Sequence, residues 1–230
     1  MSKADTIFLN GKVATVDKDF TFRKAIAVKN GWIIDVGEND EIKPYIGTNT
    51  NVIDLGGKVI LPGAHDAHIH ALNKVFNDQC VYVGPEAVST LSDLRNVLAT
   101  AVEPLKKGEW LHAVGFNGGA IEGYNESDNP VTCWDIDEVV PDNPTVITDW
   151  SGHGILVNSK AMEVCGITKD TPAPDGGKIG RNAEGKPNGV FIEPSSTALI
   201  TQHVPRWDDE RLSKEILTAQ KMLNMEGYTS

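Results

Sequence analysis

Short runs of alternating apolar and polar residues fill the first 62 positions: Thr6-Ile7-Phe8-Leu9, Lys12 to Val16, Ala25 to Lys29 and Trp32 to Val36. A period of two puts every second side chain on the same face, so these runs predict strands. Asn30-Gly31 joins the last two runs, and both residues tolerate the positive φ of a type I′ turn, which predicts a tight hairpin. Asn10-Gly11 marks an earlier turn. Glu38 to Ile46 is polar with weak helical character, and Asn51 to Leu55 and Lys58 to Leu61 resume the strand pattern on either side of Gly56-Gly57. These elements make a small antiparallel β module. It is too small to close by itself, so it is expected to pair with strands supplied from elsewhere.

Beyond Pro62-Gly63 the pattern changes. From Ala71 to Pro205 helices, strands and long polar loops are mixed. Thr90 reads as an N-cap with Asp93 three residues on, followed by Leu91, Leu94, Leu98, Val102 and Leu105 at helical spacing, with Pro104 as the stop. Trp110 to Val114 and Thr145 to Thr148 read as strands, and Asn158 to Cys165 as a helix stopped by Gly166. Asp208-Asp209-Glu210 open a strong helix through Met225, their carboxylates suiting the positive end of its dipole. Tyr228-Thr229-Ser230 then begins an extended segment.

Charge narrows the function classes. Against 21 Lys and Arg stand 32 Asp and Glu, a net charge of −11. That excludes a nucleic-acid binder working through a basic surface. No apolar run approaches the roughly 18 residues that a membrane span needs, and the N-terminus lacks the basic and apolar regions of a secretory signal. The cytoplasm is the expected compartment, with neither nucleic acid nor membrane as a partner. The three cysteines, Cys80, Cys133 and Cys165, are scattered without a C-x-x-C pair and read as small buried hydrophobes.

One short motif carries chemistry: His68-Ile69-His70, with Asp66 two residues before it and Leu61-Pro62-Gly63 upstream. In a strand Asp66, His68 and His70 would share one face, and His65 would point away. Two imidazoles a pleat apart can bind one metal ion, and an Asp on the same face can orient them. Taken alone, H-x-H is also met by chance. No phosphate loop, dinucleotide fingerprint or G-x-S-x-G elbow competes with it.

The run Val59-Ile60-Leu61-Pro62-Gly63 followed by Asp66, His68 and His70 resembles the opening of the amidohydrolase superfamily. The later chain is similar to its YtcJ-like branch, the amidohydrolase 3 family. The matching stretches are Trp134 to Asp137, Pro141 to Pro144, Gly152-His153, Asn158 to Met162, Gly166-Ile167, Gly176 to Ile179, Gly185 to Val190, Glu193 and Gly227 to Ser230. Trp134 and Tyr228 depart from the family's usual Leu and Val, both outside the metal motif.

This resemblance implies an α/β plus β architecture: the N-terminal half of a composite β-sandwich (1–62), then the start of a metal-dependent (β/α)₈ barrel, left incomplete in this chain. Residues 63–70 would be barrel strand 1, 71–205 a large insertion after it that covers the active site, and 206–230 barrel helix 1 with the start of strand 2. It further implies a divalent metal, zinc first among candidates, and hydrolysis of a small-molecule amide or formamide by metal-bound hydroxide. The bond cleaved would be carbon–nitrogen but not peptide. Two histidines fall short of the three protein ligands usual at catalytic zinc, and the family's proton-moving Asp would lie beyond Ser230. The chain is therefore expected to be an N-terminal fragment, inactive alone.

Glu193 is a third candidate ligand, or else an acidic cap for the helix after Pro194; His153 between two glycines is a candidate substrate contact, or else a loop histidine. His112 and His203 read as packing or solvent residues, and the tryptophans as core in preference to an aromatic pocket. A hydantoinase or N-acyl-amino-acid deacylase type of amidohydrolase is the alternative within enzymes, although barrel strand 2 would then follow sooner. A short non-catalytic binding protein is the alternative outside them. Homo-oligomerisation is left open.

Overall fold

The computed structural model describes residues 2–230. The chain divides into two compact units: one runs to Ile69 and takes up the chain again at Met222–Ser230, and the other is His70–Lys221.

In the first unit the strands are β1 (Thr6–Leu9), β2 (Lys12–Ala14), β3 (Phe22–Arg23), β4 (Ala25–Lys29), β5 (Trp32–Gly37), β6 (Asn51–Asp54) and β7 (Val59–Ile60), with a short helix α1 (Asn39–Ile42) after β5. They form a four-stranded sheet, β5-β4-β1-β6, and a three-stranded one, β3-β2-β7. Neither is purely antiparallel as the pattern predicted, because β6 runs parallel to β1 and β7 parallel to β2. Alternation in sequence reports which face a side chain takes, and says nothing of the direction of the neighbouring strand. The β4–β5 hairpin forms as expected. Asn30 and Gly31 hold φ of 50° and 78°, and Lys29 pairs with Trp32 across the turn.

One side of this unit has a small core of Ala4, Ile7, Ala25, Ala27 and Ile42, with Ile42 brought in by α1. A capping box between Glu38 and Glu41 starts that helix. Large apolar side chains elsewhere in the unit stay exposed, among them Trp32 at 77% and Leu61 at 62%. At the C-terminal end Ala64 bridges Tyr228 in parallel. The Ala64 N–H donates to the Gly227 carbonyl at 2.8 Å, that of Thr229 to Ala64 at 2.9 Å, and that of Asp66 to Ser230 at 2.9 Å. Gly63 permits this approach, since a Cβ there would collide with the Thr229 side chain.

The second unit is built on one six-stranded sheet. Its elements are α2 (Ala71–Asn77), β8 (Val81–Tyr82), α3 (Leu91–Val102), β9 (Leu111–Phe116), α4 (Cys133–Asp137), β10 (Thr145–Asp149), β11 (Gly154–Val157), α5 (Ser159–Val164), β12 (Lys178–Arg181), β13 (Pro187–Ile192), α6 (Pro194–Thr201) and α7 (Asp209–Met225). The order is β12-β13-β11-β10-β9-β8. β8, β9 and β10 are parallel, and β11, β13 and β12 continue antiparallel.

Successive residues of β10 and β11 feed two cores on opposite faces. Ile147 and Leu156 join Leu94 and Leu98 of α3 and Ile136 of α4; Val146, Ile155 and Val157 join Ala161 and Met162 of α5 and Ile200 of α6. A sheet covered on both faces needs continuous apolar strands, which is why Ile155-Leu156-Val157 shows no alternation. Between the layers Asn158 is fully buried and caps α5. Its Oδ1 accepts the N–H groups of Thr145 and Ala161, both at 2.9 Å, and its Nδ2 donates to the carbonyls of Val140 and Asn143 at 2.7 and 2.9 Å. The side chain thereby ties α5, β10 and the turn after α4 together.

Candidate functional site

The H-x-H segment departs from its predicted geometry. Residues 63–70 carry a single bridge residue, Ala64, with bends at Ala67 and His68. The shared face of Asp66, His68 and His70 required a continuous strand, and the ladder that would hold one ends with the Asp66–Ser230 bond. The Asp66 carboxylate accepts the backbone N–H of His68 at 3.0 Å, forming a turn. His70, at φ −102° and ψ 67°, stands at the N-cap position of α2. Both imidazoles are exposed, and His65 contacts Ser230.

Paired imidazoles suit zinc in kind. They do not suffice in number: among the described residues no group of three or more His, Cys, Asp or Glu side chains is assembled that could hold a metal ion.

The structure brings together the other two candidates, His153 and Glu193. β11 pairs antiparallel with β13, so the residue before β11 lies beside the residue after β13. The Glu193 N–H donates to the His153 carbonyl at 2.7 Å, and His153 Nδ1 lies 3.3 Å from Glu193 Oε2. Glu193 does precede α6, at the N-cap position, but its side chain makes no capping hydrogen bond. Its backbone sits at φ 74° and ψ 150°, a region that side-chain-bearing residues rarely adopt. The His153 loop is held by Ser151, whose hydroxyl donates to Asp149 at 2.8 Å and accepts the His153 N–H at 3.1 Å.

A cavity of about 250 Å³ opens beside the pair, lined by Phe116, Glu126, Asp149, Ser151, His153 and Phe191. A more polar one of about 600 Å³ shares Asp149 and Ser151 and adds Asn73, Asn77, Tyr82 and Trp150. Sequence reasoning missed Asp149 and Ser151. Their signal was the stretch Asp149 to Gly152 between two apolar runs, a loop at one end of the central strands β10 and β11.

The remaining assignments divide. His112 packs as expected: it is half-buried, with ring contacts to Phe76 and Trp110. Desolvation lowers its pKa below the ordinary 6.5, favouring neutral imidazole. The cysteines are free and buried or half-buried, and burial raises each thiol pKa to about 11. The expectation of core tryptophans holds only for Trp110, which packs half-buried against the core of Val146, Ile155 and Ile200. None of the five is fully buried, and Trp32 and Trp150 are 77% and 68% exposed. Among the described residues no helix is long and apolar enough to cross a membrane.

The mixed sheets and helices are those of a fold already known in solved structures. The chain superposes on an uncharacterized metal-dependent hydrolase from Pyrococcus horikoshii with a TM-score of 0.67 at 18% identity, covering 98% of this chain and 42% of that one. A family model described as the amidohydrolase family matches residues 51–230. Among curated relatives, the N-substituted formamide deformylase of Arthrobacter pascens is 32% identical over 205 residues, 89% of this chain and 36% of that protein. YtcJ of Bacillus subtilis (strain 168) is 28% identical over 224 residues, 97% of this chain and 41% of that protein. The chain belongs to the amidohydrolase family, in its YtcJ-like branch. It spans about two fifths of the length of the relatives it matches.

Proposed function

We propose that these residues are the front part of a metal-dependent hydrolase that cleaves carbon–nitrogen bonds other than peptide bonds, with an N-substituted formamide or related small amide as substrate. The observation that carries this reading is the pair His68 and His70, placed between the Leu61-Pro62-Gly63 segment and helix α2. The parallel bridge between Ala64 and Tyr228 supports their belonging to the first two strands of a (β/α)₈ barrel, as does membership in the family. The exposed apolar side chains of the N-terminal strands, Trp32 and Val59 among them, fit half of a composite β-sandwich. In this reading the sheet domain within residues 71–205 is the insertion after strand 1.

In this reading His68 and His70 are metal ligands, zinc being the metal that suits them best, and Asp66 shapes their turn. His153 and Glu193 act as a pair from the insertion, with His153 as substrate contact. Glu193 stands beside it as a hydrogen-bonding carboxylate, and as a ligand only if the metal comes within its reach. The further ligands and the proton-moving Asp come from outside these 230 residues. Turnover belongs to the cytoplasm and to the completed barrel.

The test compares this chain with the gene product isolated from its source, each assayed with zinc against a panel of N-substituted formamides and simple amides. The native product is expected to exceed 24.9 kDa and to hydrolyse a member of the panel in a zinc-dependent way. The chain alone is expected to be inactive and to lose zinc on dialysis. Zinc-dependent turnover by the chain alone would overturn the need for further ligands. A native product in which His68→Ala retains full activity would overturn the ligand assignment.

A further inference from the structure

We propose that the cavity between the end of α2, the start of β9 and the start of α7 binds a small aromatic carboxylate. It measures about 420 Å³ and shares no lining residue with the cavity beside His153. That volume lies in the range of roughly 300–1,000 Å³ typical of small-ligand sites.

Its walls are flat rings. Phe76 stands edge-on to His112 with centroids 5.7 Å apart and tilted against Trp207 at 5.9 Å, and Trp110 lies 6.5 Å from His112. Both indoles are only half-buried, so ring surface faces the cavity. Such surface takes an aromatic guest by offset or edge contact. Since burial keeps His112 neutral, it brings no charge to this wall.

Two arginines, Arg206 and Arg211, are among the lining residues. Arg211 lies over the Trp207 ring at 5.0 Å and is steadied by Gln79, with Glu215 at 3.9 Å. Among the described residues Arg206 makes no ion pair within 4.0 Å. The carboxylates lining the cavity already have backbone partners. Asp208 accepts the Arg211 N–H at 2.8 Å, and Glu109 accepts that of Lys106 at 2.9 Å.

A ligand in this cavity therefore meets ring faces and guanidinium together. Guanidinium binds carboxylate through two parallel hydrogen bonds. A ring bearing one carboxylate satisfies both halves. Neutral rings lack the second contact, and aliphatic acids lack the first.

The test labels the chain with ¹⁵N-indole tryptophan and titrates it with benzoate, indole-3-carboxylate and the neutral benzamide. Nε1–H signals of Trp110 and Trp207 are assigned from W110F and W207F. These two are expected to shift saturably with both acids while those of Trp32, Trp134 and Trp150 stay in place. Arg206→Ala, at an exposed position and checked for folding by circular dichroism, is expected to weaken benzoate about tenfold and leave benzamide unchanged. Unmoved Trp110 and Trp207 signals would overturn the proposal. So would shifts confined to the other tryptophans, or equal benzoate affinity in Arg206→Ala and the parent chain.

Discussion

His153 and Glu193, 40 residues apart in sequence, meet with Nδ1 3.3 Å from Oε2. The contact exists because β11 and β13 are antiparallel neighbours and each residue sits just outside its strand. Holding Glu193 there requires φ 74° and ψ 150°, which for a residue with a Cβ costs about 1–3 kcal/mol. Strain of this kind persists when the surroundings fix it, and it concentrates at sites of function.

Relief of that strain is measurable. Glu193→Ala keeps the Cβ and loses the carboxylate, whereas Glu193→Gly also frees the backbone. The glycine variant is expected to be about 1 kcal/mol more stable than the alanine variant in urea unfolding, once glycine's greater unfolded-state entropy is included. A glycine variant less stable than the alanine variant by about 0.5–1 kcal/mol, the full entropic cost of glycine, would show that this backbone is unstrained.

Asn158 gives a sharper effect. It lies at 0% exposure with all four side-chain hydrogen bonds made, so Asn158→Leu leaves the N–H groups of Thr145 and Ala161 and the carbonyls of Val140 and Asn143 without those partners. A loss of about 3 kcal/mol or more is expected by denaturant titration, from roughly 1–3 kcal/mol for each buried group left unsatisfied. A loss below about 1 kcal/mol would remove Asn158 from its role as the tie between α5 and β10.

His112 predicts a pH dependence. Burial holds its folded pKa below the ordinary 6.5, so near that pH the unfolded chain binds more protons than the folded one. The stability associated with neutral His112 is therefore fully present above about pH 6.5 and is lost as pH falls through the folded pKa. His112→Phe is expected to lose less melting temperature than the parent between about pH 7.5 and about pH 5.5. Parallel curves for the two proteins would remove His112 as the source.

The thiols predict silence. With all three held near a pKa of about 11, almost none is thiolate at about pH 8. Iodoacetamide is expected to leave the intact mass of the native chain unchanged and to modify Cys80, Cys133 and Cys165 together in denaturant. Rapid labelling of one of them in the folded state would show that its site is more open or more positive than described.

The elements that the sequence announced owe their visibility to local causes. Thr90 with Asp93 forms a reciprocal capping box, Asn30-Gly31 fits its turn whatever surrounds it, and the apolar face of α7 repeats at helical spacing. β11 and β13 escaped notice because strands buried on both faces lack alternation, and the parallel partners of β1 and β2 did so because alternation is blind to direction. The candidate residues were legible one by one through their chemistry. Their grouping was not.

By itself, then, the sequence determined which residues are candidates for the chemistry and where the local turns and caps fall, because those follow from side-chain type and backbone preference over a few neighbouring positions. It also carried the order of motifs that marks the family. Tertiary structure alone decided that His153 faces Glu193, that Asn158 joins layers around the six-stranded sheet, and that Trp110 and Trp207 line a cavity. Those relationships depend on which strands become neighbours, and strand neighbours are chosen by the burial of the whole sheet rather than by any one segment of it.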